Sequence, residues 1–144
     1  MAAPMARPAA EAHDCIFCQI VHRSANATVV YEDAENLAFL DLFPVTRGHL
    51  LVVPKRHVDR LVDLPETAYA GFLRAVATVC RRVESLSTHY NVSMNQGELA
   101  GQIVFHLHVH VIPRYGEGTP QWSRPRERLR DEEARHLAGL LGAA

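Results

Sequence analysis

The feature that most constrains the fold is a segment near residue 108 in which histidine alternates with apolar residues. His106, His108 and His110 are each separated by one apolar residue, and Pro113 ends the run. Because successive side chains of a β-strand point to opposite faces, the pattern predicts a strand, which we place at 103–113. The three imidazoles then lie on one face, roughly 6.5–7 Å apart. Three apolar residues face the core: Leu107, Val109 and Val111.

Two chemistries are compatible with a row of imidazoles on one strand face. The histidines could ligate a metal through neutral nitrogens, with a carboxylate elsewhere completing the site. Alternatively, one imidazole attacks phosphorus as a nucleophile while its neighbours hold it or donate protons. Imidazole suits that role because its ordinary pKa of about 6.5 leaves it largely unprotonated at neutral pH. The spacing alone does not choose between them.

Length and composition indicate one globular domain with a small-molecule partner. The chain has 144 residues, 48% hydrophobic and 22% charged, which is too apolar for disorder. Fifteen basic and sixteen acidic residues give a net charge of -1, so the electrostatic argument for nucleic-acid binding is absent.

Three features of the sequence bear on where in the cell the protein is found. Residues 1–13 are rich in alanine and proline and lack the apolar run of a signal peptide, so we predict a flexible tail before a single domain at 14–144. No stretch approaches the ~20 apolar residues of a membrane span. Cys15 and Cys18, separated by two residues, suit a metal or redox pair better than a secreted disulfide framework. These features predict a cytoplasmic protein with no membrane partner.

The first half of the chain predicts a short helix and three strands. The helix is placed at Asp14–His22, with Asp14 as its N-cap. Val29–Tyr31 and Asn36–Leu40 are separated by a polar stretch and predict a hairpin. The apolar run His49–Val53 predicts the third strand.

The second half predicts a long helix, two strands and a final helix. The long helix is placed at Pro65–Leu86, with Asp63 and Glu66 as a capping pair. A strand at Ser93–Gln96 precedes the histidine strand, and a last helix is placed at Pro125–Leu141. Helices segregated from antiparallel strands indicate the α+β class. The apolar stripe of the long helix is Phe72, Val76, Val79, Val83 and Leu86.

Several side chains outside these patterns receive structural interpretations. Cys80, beside the apolar stripe, is interpreted as a small buried side chain. Four histidines are interpreted as surface residues: His13, His22, His89 and His136. Four arginines near the last helix are interpreted as a solvated face: Arg124, Arg126, Arg128 and Arg130.

Three segments together resemble the landmarks of the histidine-triad, or HIT, family. They are Gly-His-Leu-Leu-Val-Val-Pro-Lys at 48–55, Asn-Gln-Gly-Glu-Leu-Ala-Gly-Gln at 95–102 and His-Leu-His-Val-His-Val-Ile at 106–112. The similarity extends from Cys15 to Arg114 and is closest to the bacterial zinc-containing branch of the histidine-triad nucleotide-binding proteins. It implies a HIT-like α+β fold with an antiparallel sheet of about five strands. It also implies a homodimer, joined through the long helix and a neighbouring strand.

The resemblance implies a nucleotide hydrolase or transferase that acts at the α-phosphate. By similarity, His108 attacks phosphorus and forms a covalent nucleotidyl-histidine intermediate, from which water releases a nucleoside monophosphate. His110 lies against the phosphate and leaving group, His106 completes the catalytic row, and His49 supports it. The implied substrates are nucleoside phosphoramidates, acyl-nucleotides or dinucleoside polyphosphates, with no organic cofactor.

Substrate contacts also follow from the similarity. Asp41 matches the acidic residue that binds ribose hydroxyls. Asn95 and Gln102 fall in the phosphate-contacting segment, where backbone N–H groups of the 97–101 turn add donors. Ile103 departs from the family pattern, since many members carry a serine or threonine there. The positions of the base pocket are Phe17, Ile20, Phe39, Leu40 and Leu42.

A structural zinc site is also implied. Zinc-containing bacterial members place a histidine where this chain has His57 and take a further ligand from the first triad histidine, here His106. With Cys15 and Cys18 this makes a Cys2His2 site, which ties the first helix to the catalytic strand and fixes His106 in place of a hydrogen bond. Metal-free thiols are the main alternative.

Two other functions stay compatible with the sequence. One is a nucleotide-binding regulatory module whose hydrolysis is incidental. The other is metal-dependent hydrolysis at the triad, in which a chelator abolishes activity and added metal restores it.

Overall fold

A five-stranded antiparallel sheet organises the part of the chain that the computed structural model describes, residues 14–116 and 126–142. The strands are β1 (Val29–Glu32), β2 (Asn36–Leu40), β3 (Leu50–Pro54), β4 (Tyr90–Ser93) and β5 (Val109–Pro113). The helices are α1 (Ile16–Val21), α2 (Tyr69–Val83) and α3 (Asp131–Leu140). The order across the sheet is β1-β2-β3-β5-β4. The predicted α+β class and five-stranded sheet are confirmed, and the tail predicted at 1–13 lies outside the described residues.

The predicted β1–β2 hairpin is present, and an aspartate holds its turn. The Oδ1 atom of Asp33 accepts the backbone N–H groups of Glu35 and Asn36, each at 2.8 Å. Asn and Asp favour turns because their side chains satisfy such nearby backbone donors. In α1, Cys15 is the N-cap instead of the predicted Asp14: its Sγ atom accepts the Cys18 N–H at 3.4 Å.

The histidine strand is shorter than predicted, because β5 begins at Val109. The chain before it leaves the sheet, where the Leu107 N–H donates to the Val58 carbonyl at 2.7 Å. The alternation of faces nevertheless continues, since Leu107 is fully buried in the core beside Val109 and Val111. The apolar face of the prediction is therefore confirmed, although its first half is not strand.

The strand before it is displaced from the predicted Ser93–Gln96 to Tyr90–Ser93. The chain turns away from the sheet after Ser93, and the Gln96 side chain accepts the Leu61 N–H at 2.8 Å. Local sequence patterns do not predict a hydrogen bond between a side chain and a distant loop, so they do not predict where this strand ends.

The long helix α2 covers only the middle of the predicted Pro65–Leu86 segment. A 3-10 turn at Glu66–Ala68 precedes it, and Asp63 accepts the Arg60 N–H at 3.3 Å instead of capping α2. Leu86 lies past the helix end and packs partly buried against the core. The rest of the predicted stripe is buried: Phe72, Val76, Val79 and Val83.

The last helix starts at Asp131, later than predicted, and Pro125 lies outside the described residues. Residues 126–130 are not helical; the Leu129 N–H donates to the Leu42 carbonyl at 2.7 Å, so this segment adjoins the loop after β2. Three carboxylates in the first turn of α3 stabilise the helix, because negative charge is favourable at the positive, N-terminal end of the helix dipole. The helix docks on the core through Ala134, Leu137 and the following Leu141.

The sheet separates two apolar clusters. One packs α2 and α3 on the face that carries Val109 and Val111. The other holds α1 against the opposite face, where Phe17 contacts Phe39 with ring centroids 5.4 Å apart. Within 14–116 and 126–142, no helix has the length and apolarity needed to cross a membrane. The cytoplasmic location stays a prediction.

Candidate active site

A pocket of about 380 Å³ opens on the α1 side of the sheet and brings the predicted site residues together. His108 and His110 line it from the end of the histidine segment, Asp41 from the loop after β2, and Asn95 from the loop after β4. All five residues predicted for the base pocket line it: Phe17, Ile20, Phe39, Leu40 and Leu42.

The His108 ring is held in one orientation by the backbone. Its Nδ1–H donates to the His106 carbonyl at 2.7 Å, so the lone pair is on Nε2. The edge of Phe17 packs on the ring, with centroids 5.1 Å apart. Burial lowers the pKa of His108 below its usual 6.5, which keeps the imidazole neutral at pH 7. The arrangement presents a neutral, oriented nitrogen of the kind that a nucleophile needs.

His49 and His110 form a chain that assigns a proton to each ring. The Nδ1 atom of His49 accepts the Val45 N–H at 3.0 Å, so His49 carries its proton on Nε2. That Nε2–H lies 2.9 Å from Nδ1 of His110 and donates to it. His110 therefore carries its own proton on Nε2 and is a hydrogen-bond donor at that atom. His49 is fully buried and contacts His110, which is compatible with the supporting role that the resemblance implies; that role stays a prediction.

Burial keeps these two imidazoles neutral. Burial, then the charges of His108 and Arg126, lowers the pKa of His110 to about 3. The same burial holds the pKa of His49 well below its ordinary value, with smaller effects from His110, Arg126 and His108. The pair is thus a neutral hydrogen-bond relay.

Asp41 sits at the edge of this relay. Its Oδ1 atom accepts the Phe43 N–H at 2.8 Å, and its Oδ2 atom lies 3.5 Å from Nε2 of His49. Burial raises the pKa of Asp41, partly offset by that N–H and by Arg126. Ligand atoms of Asp41, His49 and His110 lie within 4.8 Å of one another. However, the 2.9 Å between the two ring nitrogens matches a hydrogen bond, and two nitrogens on one tetrahedral zinc lie ~3.3 Å apart.

The turn after Asn95 is closed on itself by Gln102. The Gly97 N–H donates to the Gln102 side chain at 2.8 Å, and the Gln102 amide donates to the Asp59 and Val104 carbonyls. Gln102 is buried and is not among the residues that line the pocket; in this structure it holds the turn, and its contact with substrate stays a prediction. The reason for its place in the turn is tertiary: its donors and acceptor are used by neighbouring loops.

The backbone donors predicted for this turn are also largely used. The Ala100 N–H donates to Gly97, and the Gly101 N–H to Glu98. Positive φ angles of 93° at Gly97 and 92° at Gly101 shape the turn, a conformation that glycine adopts without strain. The N–H groups of Gly97, Ala100 and Gly101 therefore already have acceptors within the turn, and the Asn95 side chain lines the pocket.

A second cluster lies beside the pocket and matches the predicted zinc site. Nδ1 of His106 lies 3.4 Å from Sγ of Cys15 and 3.5 Å from Sγ of Cys18. Nδ1 of His57 lies 3.3 Å from Nδ1 of His106 and 3.3 Å from Sγ of Cys18. Ligands of one tetrahedral zinc stand ~3.3–3.8 Å apart. The four atoms therefore have the spacing of a Cys2His2 zinc site.

The surroundings of the cluster also fit metal ligation. The Nε2–H of His106 donates to the Pro54 carbonyl at 2.7 Å, and Nε2 of His57 lies 3.7 Å from Asp59. Such outer partners orient ligating histidines. Burial, with Cys15 adjacent, raises the pKa of Cys18 to about 12, so the Cys18 thiol is protonated unless a cation is bound.

These contacts bear on two expectations for His106. Its ring belongs to the cluster and is not among the residues that line the pocket, while its carbonyl accepts the Nδ1–H of His108; its place in the catalytic row stays a prediction. Its hydrogen bond to Pro54 also coexists with the cluster, because the ring has two nitrogens, whereas the sequence predicted a ligand in place of a hydrogen bond.

Sequence reasoning missed several pocket residues. Ile16, Phe43 and Val104 add apolar lining, and Arg126 adds a cation from the segment before α3. The solvated-face interpretation holds for Arg128 and Arg130, which are exposed, and fails for Arg126; Arg124 lies outside the described residues. No local signal separates these arginines, since the pairing of Leu129 with Leu42 decides which one faces the pocket.

Fold and site together define an α+β protein whose central sheet presents a row of histidines to a pocket and to a cysteine-histidine cluster. A sequence profile of the HIT domain matches residues 22–117. The chain therefore belongs to the HIT family, as the three motifs predicted.

Relatives in several organisms support this membership. An uncharacterised HIT-like protein of Methanocaldococcus jannaschii is 44% identical over 106 residues, 72% of this chain and 82% of its own length. An adenosine 5'-monophosphoramidase of Schizosaccharomyces pombe is 39% identical, over 72% of this chain and 76% of its own. An adenylylsulfatase of Arabidopsis thaliana is 35% identical, over 71% of this chain and 53% of its own.

A solved structure shows the same fold. The zinc-bound histidine triad family protein from Mycobacterium smegmatis superposes with a TM-score of 0.77 at 36% identity, covering 91% of this chain and 95% of that protein. The HIT-like fold predicted from sequence is thus confirmed.

Proposed function

We propose that the protein hydrolyses nucleoside 5'-phosphate derivatives at the α-phosphate through a covalent intermediate on His108. The observation that carries the proposal is the orientation of His108: the bond from its Nδ1–H to the His106 carbonyl leaves the Nε2 lone pair for the pocket. Nucleotide hydrolysis is supported in general by two relatives, which are named an adenylylsulfatase and an adenosine 5'-monophosphoramidase.

In the first step, Nε2 of His108 attacks the α-phosphorus. The Nε2–P bond forms as the bond from phosphorus to the leaving group breaks, and the electron pair departs with the leaving group. The Nε2–H of His110, fixed by the His49 relay, donates a hydrogen bond at the phosphate or the leaving group. Asn95 lines the same pocket and supplies an amide to the phosphate oxygens.

In the second step, water attacks the phosphorus of the nucleotidyl-histidine. The Nε2–P bond breaks, its electron pair returns to His108, and a nucleoside monophosphate is released with the proton of the water passing to solvent. Division of one displacement into two is the usual advantage of covalent catalysis.

The rest of the pocket suits a nucleoside. The partly buried carboxylate of Asp41 lines the pocket and can accept hydrogen bonds from ribose hydroxyls. The apolar side chains of Phe17 and Phe39 can pack on a base. Apolar walls hold a base by contact and read its edges poorly, so this pocket takes ribonucleosides with modest base preference.

The decisive experiment compares His108→Ala with wild type on adenosine 5'-phosphoramidate. We expect kcat to fall by about three orders of magnitude or more, while AMP binding is kept. Acid-quench trapping of wild type with labelled substrate should yield a phosphorus-linked His108 peptide. His89→Ala, on the surface, is the matched control and should turn over normally.

Retained turnover in the His108 variant would falsify the mechanism. Activity that chelator abolishes in a chain that stays folded, and that added metal restores, would favour the metal-dependent route instead.

We also propose that Cys15, Cys18, His57 and His106 hold a structural zinc ion. The donor set, the spacing of its atoms and the outer contacts of both histidines support this. When bound, zinc joins α1 to the segment before β5 and so stabilises the carbonyl that orients His108. A zinc-bound relative with the same fold is consistent with it.

A homodimer is proposed through the faces of α2 and β4. β4 is an edge strand of the sheet, and the surface beside it is apolar over a concavity of about 480 Å³. Edge strands and apolar patches of this kind are commonly covered by a partner. The exposed apolar residues here are Leu61, Val62, Tyr69, Leu73, Val92 and Met94.

A further inference from the structure

Arg126 brings a cation into a pocket whose other polar groups are neutral imidazoles, an amide and one carboxylate. It lines the pocket together with His108, His110 and Asp41, yet it lies outside the segment that matches the HIT domain, residues 22–117. The carboxy-terminal segment is therefore part of the site in this chain.

Two contacts hold the segment at the pocket. The Leu129 N–H donates to the Leu42 carbonyl, one residue from Asp41, at 2.7 Å. The Arg47 side chain donates to Glu133 in the first turn of α3 at 2.5 Å. Both contacts join this segment to the loop after β2. They therefore hold the backbone of Arg126 close to the proposed catalytic residues.

The charges of the pocket distinguish two kinds of leaving group. An amine must take up a proton as it departs, which calls for an acidic group beside it. Burial, then His108 and Arg126, lowers the pKa of His110 to about 3, so this donor is a neutral imidazole and a weak acid. An oxyanion departs with its electron pair and needs no proton, and a nearby guanidinium stabilises it.

We infer that Arg126 is a specificity-determining residue that binds an anionic leaving group, such as sulfate or a further phosphate, in preference to an amine. The inference rests on the proposed function and names the substrate class of the same site. Ile103 lines the pocket too and offers a phosphate no hydrogen bond, so the guanidinium is the strongest anion ligand among the described lining residues.

For such a substrate the first step is balanced without a proton donor. The Nε2–P bond to His108 forms, the bond from phosphorus to the bridging oxygen breaks, and its electron pair leaves on sulfate or phosphate beside Arg126. With a phosphoramidate the electron pair would go to nitrogen, which takes its proton from water, because the neutral His110 can donate a hydrogen bond but not its only proton.

The test measures kcat/KM for adenosine 5'-phosphosulfate and adenosine 5'-phosphoramidate in Arg126→Gln. We expect about a tenfold or larger loss with the phosphosulfate and less than about threefold with the phosphoramidate, since a charge-assisted hydrogen bond is lost only with the former. Arg126→Lys should keep most of the preference. The exposed Arg128→Gln is the matched control and should change neither rate.

Equal losses on both substrates, or no loss on either, would overturn the inference. A Lys variant that loses the preference as fully as the Gln variant would also do so. Thermal melting checks each variant, and Arg126→Met is measured if the Gln variant does not fold.

A binding experiment tests the role of Arg126 independently of the proposed hydrolysis. In a His108→Ala background, Arg126→Gln should weaken ADP binding about tenfold and AMP binding much less, because only ADP places a phosphate in the leaving-group position. If wild type turns over neither substrate, the proposed function fails, and the ADP-to-AMP comparison alone decides on Arg126.

Discussion

At the scale of the residue, the site depends on which nitrogen of each imidazole carries a proton. One carbonyl, that of His106, orients His108, and one backbone N–H, that of Val45, sets the proton positions of His49 and His110. The same ring type thus presents an acceptor nitrogen or a donor N–H to the pocket according to the hydrogen bond at its other nitrogen. The sequence predicted that these histidines lie together at one site. Their tautomers follow from hydrogen bonds that only the tertiary structure supplies.

The pH dependence of kcat/KM tests the state of His108. As the proposed nucleophile, His108 must be unprotonated, and burial lowers its pKa below 6.5, so the acid limb should lie below pH 6.5. Activity should then be nearly constant from pH 7 down to that limb and fall only as His108 takes up a proton. A limb at or above pH 6.5, measured in wild type with the phosphoramidate, contradicts the burial argument.

At the scale of the element, the cysteine-histidine cluster joins segments that are distant in sequence. Cys15 and Cys18 come from the start of α1, His57 follows β3, and His106 precedes β5. The ring of His106 belongs to the cluster while its carbonyl accepts the Nδ1–H of His108, so His106 connects the cluster to the His108 ring.

Cys18→Ser tests this link between zinc and catalysis. We expect zinc content to fall from roughly one ion per chain to well below that, since a structural site needs all its ligands. The melting temperature should fall by about 5 °C or more and kcat should fall with it, because the loop that orients His108 loosens. Metal analysis, calorimetry and kinetics on the same preparation check all three.

Cys80→Ser is the matched control, as Cys80 lies on α2 outside the cluster. Full zinc content in the Cys18 variant, or zinc loss with kcat and melting unchanged, would show that the cluster does not support the site.

At the scale of the whole molecule, the sheet places the pocket and the proposed subunit interface on different faces. The pocket lies with α1, whereas α2 covers the other face and leaves Tyr69 and Leu73 exposed beside the edge strand β4. Interface and pocket can therefore be altered separately.

The oligomeric state tests the proposed interface. Wild type should have twice the chain mass by sedimentation equilibrium, and Leu73→Glu should shift it toward the monomer by burying a charge at the interface. Leu140→Glu, an equally drastic change on α3, is the control and should stay dimeric. A monomeric wild type, or a Leu73→Glu dimer of undiminished affinity, contradicts the proposal.

The sequence by itself determined the features that depend on the local periodicity of polar and apolar residues. The alternation around His108 predicted one polar and one apolar face, and the stripe from Phe72 to Val83 predicted the buried side of α2, because side-chain direction follows backbone periodicity. The motifs also predicted the family and the residues that meet in the pocket and the cluster.

Only the tertiary structure decided what those side chains bond to. The Gln102 side chain bonds its own turn, the His106 carbonyl accepts from His108, and Arg126 lines the pocket instead of facing solvent. Each outcome depends on contacts between segments far apart in the chain, and a hydrogen bond or an ion pair has no periodicity that a sequence displays. Periodicity determines the face on which a residue lies, and the packing of distant loops determines its chemistry.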